Sequence, residues 1–388
     1  MSIRFRHTVL ASLVVVALLL SACQPAPAPV APAQVAATAV QPTSVPATAI
    51  PPTAAPPTAV PPTAVPPTAV PPTKVPPTAV PPTAAPPTPA PPITATAKVT
   101  ATLSNEPGRA IVSARGNHFV IDSPAALAGP NEEVNPVDAL LGALGTCGIF
   151  VAEAAAPKLE IPLKGATAVV QGDFDPRGIK GEAFDPRMQA LRVHLALPGA
   201  NADQEAKLVK EFQARCPIYT TLVRAAAIEV TAGDQKMGSA TPGLTTAAIT
   251  TTLSNQPGRA LVTARGNHFV VDSIPPLGGP NEERNPMDLL LGALATCGNF
   301  VYEKAAQELS IPLTGTGAVV EADYDPRGIR DGSSSPHIQA LRVTTTANGA
   351  SAEQAKQLAQ AFQKRCPVFT TLVRAAPIML NGVAVAPQ

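Results

Sequence analysis

One long stretch of this chain is written twice, 150 residues apart, and any fold must hold both copies. Leu103–Ser123 and Leu253–Ser273 differ at only 4 of 21 positions. Cys147 and Cys297 close matching runs that begin Asn135-Pro136 and Asn285-Pro286. Cys216 and Cys366 open matching Cys-Pro segments that end in Thr-Thr-Leu-Val-Arg-Ala-Ala. A duplication that keeps two thiols in register in each copy points to thiol chemistry on a repeated fold.

The 388 residues overstate the globular content. Residues 1–23 carry a basic start at Arg4 and Arg6, an apolar run Val9–Leu20 and the end Leu20-Ser21-Ala22-Cys23. The run is about half the ~20 residues that a membrane span needs. This segment resembles a bacterial lipoprotein signal, which implies lipidation of Cys23 and an extracytoplasmic protein anchored to the cell membrane. Residues 24–97 form a linker dominated by Pro-Pro-Thr-Ala-Val pentads, a composition that cannot pack a core and favours polyproline II. Extended, such a spacer reaches roughly 200 Å at ~3.1 Å per residue.

A formal charge of +1 and the lack of a basic run argue against a nucleic-acid partner. No Cys-x-x-Cys or His-rich cluster suggests a metal, and no cofactor is expected. The two modules, 98–232 and 248–383 with a linker at 233–247, are each long enough for a core of their own.

Within a module, Lys98–Leu103, Arg109–Arg115 and His118–Asp122 read as strands, joined by Asn-Glu-Pro-Gly and by Gly116-Asn117. A Pro/Gly-rich loop follows. Asn135 then caps a helix with Pro136 in its first turn and Asp138 three residues after the cap. Val137, Leu140, Leu141, Leu144 and Cys147 share one helical face. Gly142, Ala143, Gly145 and Gly148 are expected to let two such helices cross tightly and to leave room for a substrate. Ala166–Phe174 and Met188–Leu197 read as a hairpin around Asp-Pro-Arg-Gly, taken as a type I turn. Ala202–Arg215 and Pro217–Ala225 read as helices and Ile228–Thr231 as a closing strand. The order βββ-α-ββ-αα-β is an α+β pattern.

The Asn-Pro-x-Asp-x-Leu-Leu-Gly-Ala-Leu-x-Thr-Cys helix, the Arg-Gly-Asn-His…Asp strand pair, the Asp-x-Arg-Gly turn and the late Cys-Pro helix together resemble the family of osmotically inducible protein C and organic hydroperoxide resistance proteins, closest to its broader OsmC-like branch. The resemblance covers both modules almost end to end. It implies strands wrapped around two central helices, in an intertwined homodimer with thiol sites at the interface. Two modules in one chain then look like that dimer fused into a monomer with intramolecular domain pairing. The resemblance also implies a thiol peroxidase in which one cysteine attacks an organic hydroperoxide, the second resolves it as a disulfide, and a dithiol donor of unknown identity restores both.

Position alone makes Cys216 and Cys366 the more acidic thiols, since each precedes a Pro-started helix and follows an Arg. Cys147 and Cys297 lie mid-helix on apolar faces, where desolvation raises a thiol pKa. The family implies the opposite division of labour, with the first cysteine peroxidatic. That assignment requires an arginine near Cys147. Arg109 and Arg115, with Arg259 and Arg265 in the second copy, are the candidates. In the hydroperoxide-resistance branch the activating Arg sits in the turn between the first two strands, where this chain has Asn105-Glu106-Pro107-Gly108. That branch also places a Glu directly after Asn-Pro, where this chain has Val137 and Met287. Asp138 and Asp288, one residue later, serve equally as helix caps or as catalytic acids. His118 and His268 receive no role. Two further readings stay open: a purely structural disulfide, and a non-catalytic module binding an apolar ligand.

Overall fold

Turn chemistry sets the opening of each module. In the computed structural model, which describes residues 94–127 and 129–386, β1 (Ala95–Leu103), β2 (Arg109–Ala114) and β3 (Asn117–Asp122) form an antiparallel meander. Cys23 and nearly all of the Pro-rich tract lie outside the described residues. The β2–β3 connection is Arg115-Gly116 rather than Gly116-Asn117, because Ala114 and Asn117 pair as the last rung of the ladder. Both turn residues have positive φ, 51° and 86°, as a two-residue hairpin matched to strand twist requires. Arg115 thus occupies a conformation that non-glycine residues rarely adopt. Arg265 does the same at φ 50°.

α1 (Pro136–Ala155) begins where the sequence places it. Asn135 accepts hydrogen bonds from the backbone N–H groups of Val137 and Asp138, and Asp138 accepts from that of Asn135. This reciprocal arrangement satisfies donors that a helix start leaves orphaned. Eighteen of the twenty residues are buried, so α1 is covered around its whole circumference, as a central helix must be.

β4 (Thr167–Phe174) and β5 (Ala190–Ala196) pair antiparallel. The Asp-Pro-Arg-Gly between them is not a type I turn. It starts a one-turn helix, α2 (Pro176–Ile179), in which Asp175 accepts from the backbone N–H of Arg177 and binds its guanidinium. Asp caps and Pro opens a first helical turn as readily as they open a β-turn. α3 (Ala202–Arg215) and α4 (Pro217–Leu222) meet at Cys216, and β6 (Ala227–Ala232) returns parallel to β5.

The second module repeats the order and adds a last strand: β7 (Thr245–Leu253), β8 (Arg259–Ala264), β9 (Asn267–Asp272), α5 (Pro286–Glu308), β10 (Gly315–Tyr324), α6 (Pro326–Arg330), β11 (Ala340–Asn348), α7 (Ala352–Arg365), α8 (Pro367–Ala375), β12 (Ile378–Leu380) and the additional β13 (Val383–Val385).

The two modules exchange strands. One sheet runs β13-β12-β11-β10-β1-β2-β3 and the other β6-β5-β4-β7-β8-β9. The seam in each is a long antiparallel ladder between modules: Ala95 to Thr102 against Tyr324 to Gly317, and Thr167 to Phe174 against Thr252 to Thr245. α1 packs on the six-stranded sheet, α5 on the seven-stranded sheet, and the two helices on each other. The α+β class and the intramolecular pseudo-dimer expected from the sequence are therefore both present.

The two central helices pack on each other as expected, but Gly145 and Gly148 serve other contacts. A Cβ on Gly145 would lie 2.9 Å from methyl carbons of both Thr251 and Val170, on strands β7 and β4. One on Gly148 would meet the Phe212 ring of α3 at 3.2 Å. Gly145 and Gly148 seat α1 on its sheet and its aromatic neighbour. At Gly142 the partner helix comes no nearer than Leu289, at 3.8 Å.

Candidate functional site

Each module closes its own cysteine pair. Cys147 is bonded to Cys216 and Cys297 to Cys366, with Cα–Cα separations of 5.9 Å in both. The first cysteine of each pair lies well inside a central helix, the second at a sharp joint between two helices. There the chain leaves helical geometry for one residue, φ −81° and ψ 116° at Cys216, so the cysteine ends one helix and caps the next. Its sulfur accepts the backbone N–H of Tyr219 at 3.2 Å, and Cys366 accepts that of Phe369 at 3.2 Å. The cap position read from Cys-Pro is thus realised, and it is the local setting that favours a thiolate.

Access runs the other way. Cys216 and Cys366 are 0% exposed, whereas Cys147 and Cys297 retain 4% and 5%. Cys147 and Cys297 also line cavities, while Cys216 and Cys366 line none described. The cavity at Cys297 has a volume of about 280 Å³. Its walls come from both modules: Cys297, Phe300, Val301 and Pro367 from the second, Val137, Phe174 and Ile179 from the first. The floor is apolar, and polar groups enter mainly from Asn135, Asp138 and Arg265. Each site is therefore composite, as the strand exchange requires.

Asp138 and Arg265 form the polar rim. Arg265 donates from Nε to Asp138 at 2.9 Å, from Nη1 to the Asn131 side chain at 2.8 Å and from Nη2 to the Glu133 carbonyl at 2.9 Å. Arg115 repeats this on Asp288, Asn281 and the Glu283 carbonyl, with Nη2 2.5 Å from the Asp288 carboxylate. Both aspartates are buried, and each also completes the helix cap of its own module. The capping and site readings of Asp138 and Asp288 thus describe one side chain with two sets of partners. The turn residues Arg115 and Arg265 owe their direction to the left-handed backbone beneath them.

Arg109 and Arg259 sit elsewhere. Arg109 forks onto the buried carboxylate of Asp122 and reaches Glu106 and Glu132; Arg259 binds Asp272, Gln256 and Glu282. These pin the loop before the central helix, and neither arginine lines a cavity described at a cysteine. Arg215, expected to support the Cys216 thiolate, donates to the Ile329 and Arg330 carbonyls of the other module and to Glu211. His118 and His268 face outward, hydrogen-bonded to Ser113 and Thr263.

Several site residues escape sequence reading. Phe174 and Tyr324 end strands β4 and β10, and Asn131 and Asn281 hold the arginines with φ of 57° and 58°. The repeated Pro-Asn-Glu-Glu segments, with an asparagine suited to a left-handed position, were the available signal. The cross-module pairing carries no local signal at all.

A family model described as OsmC-like protein matches residues 129–231 and again 279–381. No curated protein matches the chain. Among solved structures, a putative osmotic stress induced and detoxification response protein from Psychrobacter arcticus is 16% identical, covering 34% of this chain and 94% of its own, with a TM-score of 0.30. An organic hydroperoxide resistance protein from Elizabethkingia anophelis is 15% identical over 35% of this chain and 94% of its own, at a TM-score of 0.29. An OsmC like protein from Mycoplasma pneumoniae is 19% identical over 34% and 94%, at 0.29. With the family's domain matched twice and over more than half its length, the chain belongs to the OsmC-like protein family.

Proposed function

We propose that the protein is a two-cysteine thiol peroxidase acting on organic hydroperoxides, held at the cell envelope by a lipid on Cys23. The observation that carries this reading is the division within each pair. One cysteine lines a cavity at the module interface, and its bonded partner is a buried helix cap. The thiolate of Cys147 or Cys297 attacks one peroxide oxygen and the O–O bond breaks. The remaining alkoxide takes a proton and leaves as the alcohol, and the cysteine becomes a sulfenic acid. The thiol of Cys216 or Cys366 then displaces hydroxide from that sulfur as water, giving the disulfide. A dithiol donor returns two electrons and two protons to complete the cycle.

The helix cap has a place in this scheme. When a reductant attacks the disulfide at the cavity-facing sulfur, Cys216 or Cys366 must leave as a thiolate. A leaving thiol of low pKa leaves faster, and the N–H of Tyr219 or Phe369 is aimed at that sulfur. Arg265 supplies positive charge at the rim of the Cys297 cavity, tempered by Asp138, while Arg115 and Asp288 line the cleft beside the Cys147 cavity.

The test is peroxide consumption by the full chain with cumene hydroperoxide as oxidant and dithiothreitol as donor. Turnover that disappears in Cys147→Ser with Cys297→Ser supports the enzyme. Disulfides that stay closed in folded protein at millimolar dithiothreitol, with no turnover, would make it a binding module with permanent cross-links.

A further inference from the structure

The two sites are related by the 150-residue offset, yet they differ in the room they offer. Beside Cys297 one cavity measures about 280 Å³; in the other copy the equivalent lining is divided between a cavity of about 40 Å³ at Cys147 and a polar cleft of about 470 Å³, with Asn285, Met287 and Tyr324 lining both. The two cysteines are nearly equally exposed as residues, 5% against 4%, so the difference lies in the space beside them. An apolar cavity of ~150 Å³ is enough to hold benzene, while ~30 Å³ is the share of one water. The larger cavity therefore has room for a branched or aryl organic group. The smaller one holds little beyond a solvent-sized molecule.

Three substitutions between the copies put a bulkier side chain beside Cys147 than beside Cys297. Val137 at the open site corresponds to Met287 at the closed one, Pro124 to Ile274, and Phe174 to Tyr324. Met287 and Tyr324 line both the Cys147 cavity and the polar cleft that holds Arg115, Asp288 and Lys98, so they stand between the two. At the open site Ala248 stands where Lys98 stands at the closed one, and the cavity runs on past Thr245 and Thr246.

We propose that the sites are unequal: Cys297–Cys366 reduces hydroperoxides bearing a bulky apolar group, and Met287 and Tyr324 close Cys147–Cys216 to them. The proposal rests on the peroxidase reading above. Each pair gives two electrons to one hydroperoxide, releasing one alcohol and one water. Both pairs remain open to hydrogen peroxide, which carries no organic group.

The full chain, reduced with dithiothreitol and freed of it, is mixed with limiting cumene hydroperoxide or hydrogen peroxide. After acid quenching, peptide mass spectrometry reports each disulfide separately. With cumene hydroperoxide, the Cys297–Cys366 bond should form at least ~10-fold faster than Cys147–Cys216, the discrimination a pocket gains from excluding a group larger than a methylene. With hydrogen peroxide the two rates should agree within about threefold. In Met287→Val with Tyr324→Phe, the Cys147–Cys216 rate with cumene hydroperoxide should rise toward the other. Equal rates with cumene hydroperoxide in the unmodified chain would overturn the inequality while leaving the reaction intact. If neither peroxide oxidises either pair, the peroxidase reading falls, and calorimetry with the product alcohol 2-phenyl-2-propanol decides the inequality. One molecule bound per chain supports it; two, or none, overturns it.

Discussion

Arg265 of the second module closes on Asp138 of the first at 2.8 Å, so the carboxylate that caps one central helix is neutralised from the other copy. Arg115 and Asp288 make the reciprocal pair at 2.5 Å.

Asp138→Asn should lower stability by about 1.5–3 kcal/mol, the range for a hydrogen bond to a charged partner, because the arginine side is left with no counter-charge. Urea unfolding of variant and wild type measures it. No change in midpoint would mean that the pair holds orientation without contributing stability.

Gly145→Ala should be destabilising by about 1–3 kcal/mol through overpacking, despite the ~1 kcal/mol that alanine gains as a helix former. The new methyl would press on Thr251 and Val170. In the other copy, position 295 is already alanine, and the residue equivalent to Thr251 is Ala101. Thr251→Ala should therefore rescue Gly145→Ala. It also removes a buried hydroxyl that lacks a hydrogen-bond partner. A double variant as unstable as the single would refute this coupling.

Much of this was legible in the sequence. The capped central helix, the cysteine at a helix joint and the strand order follow from local patterns. Sequence places the β2–β3 turn at Gly116-Asn117, one residue after the Arg115-Gly116 turn of the structure, since an arginine at positive φ has no propensity to announce it. Arg115 and Asp288 are 173 residues apart, and no periodicity connects them. The glycines of the central helix are legible as packing devices, but composition cannot say whether a small face meets a helix or a sheet.

The cysteine roles predict a distinctive trapping pattern. In Cys216→Ser with Cys366→Ser, peroxide should leave sulfenic acid on Cys147 and Cys297, which dimedone labels. In Cys147→Ser with Cys297→Ser, consumption should stop. Dimedone on Cys216 or Cys366 in that second protein would reverse the assignment.

Glu153 and Glu303 give a pH signature. Burial raises the pKa of each, only partly offset by a backbone hydrogen bond from Gly258 or Gly108. An acid whose folded pKa is raised contributes stability that is full below the unfolded value and lost as pH rises through the folded one. Glu153→Gln with Glu303→Gln keeps the acceptor without the charge. Its stability relative to wild type should improve from pH 4 to pH 8, as read by urea midpoints. A constant difference across that range would show that neither carboxyl titrates at a cost.

A fragment spanning residues 94–240 should not persist as a monomer. Its β1 and β4 would each lose the long ladder to the missing half, leaving bare edges that pair with another copy. Light scattering should find a dimer or larger species, and a stable monomer would contradict the exchange.

The strand exchange has a consequence for dilution. Two separate chains that interlock in this way hold together only as long as their concentration exceeds a dissociation constant, and their stability rises with protein concentration. Here the connection at 233–244 joins the halves, so each finds its partner at an effective concentration fixed by the linker. Assembly becomes a unimolecular event, and its midpoint should be the same at nanomolar and micromolar protein.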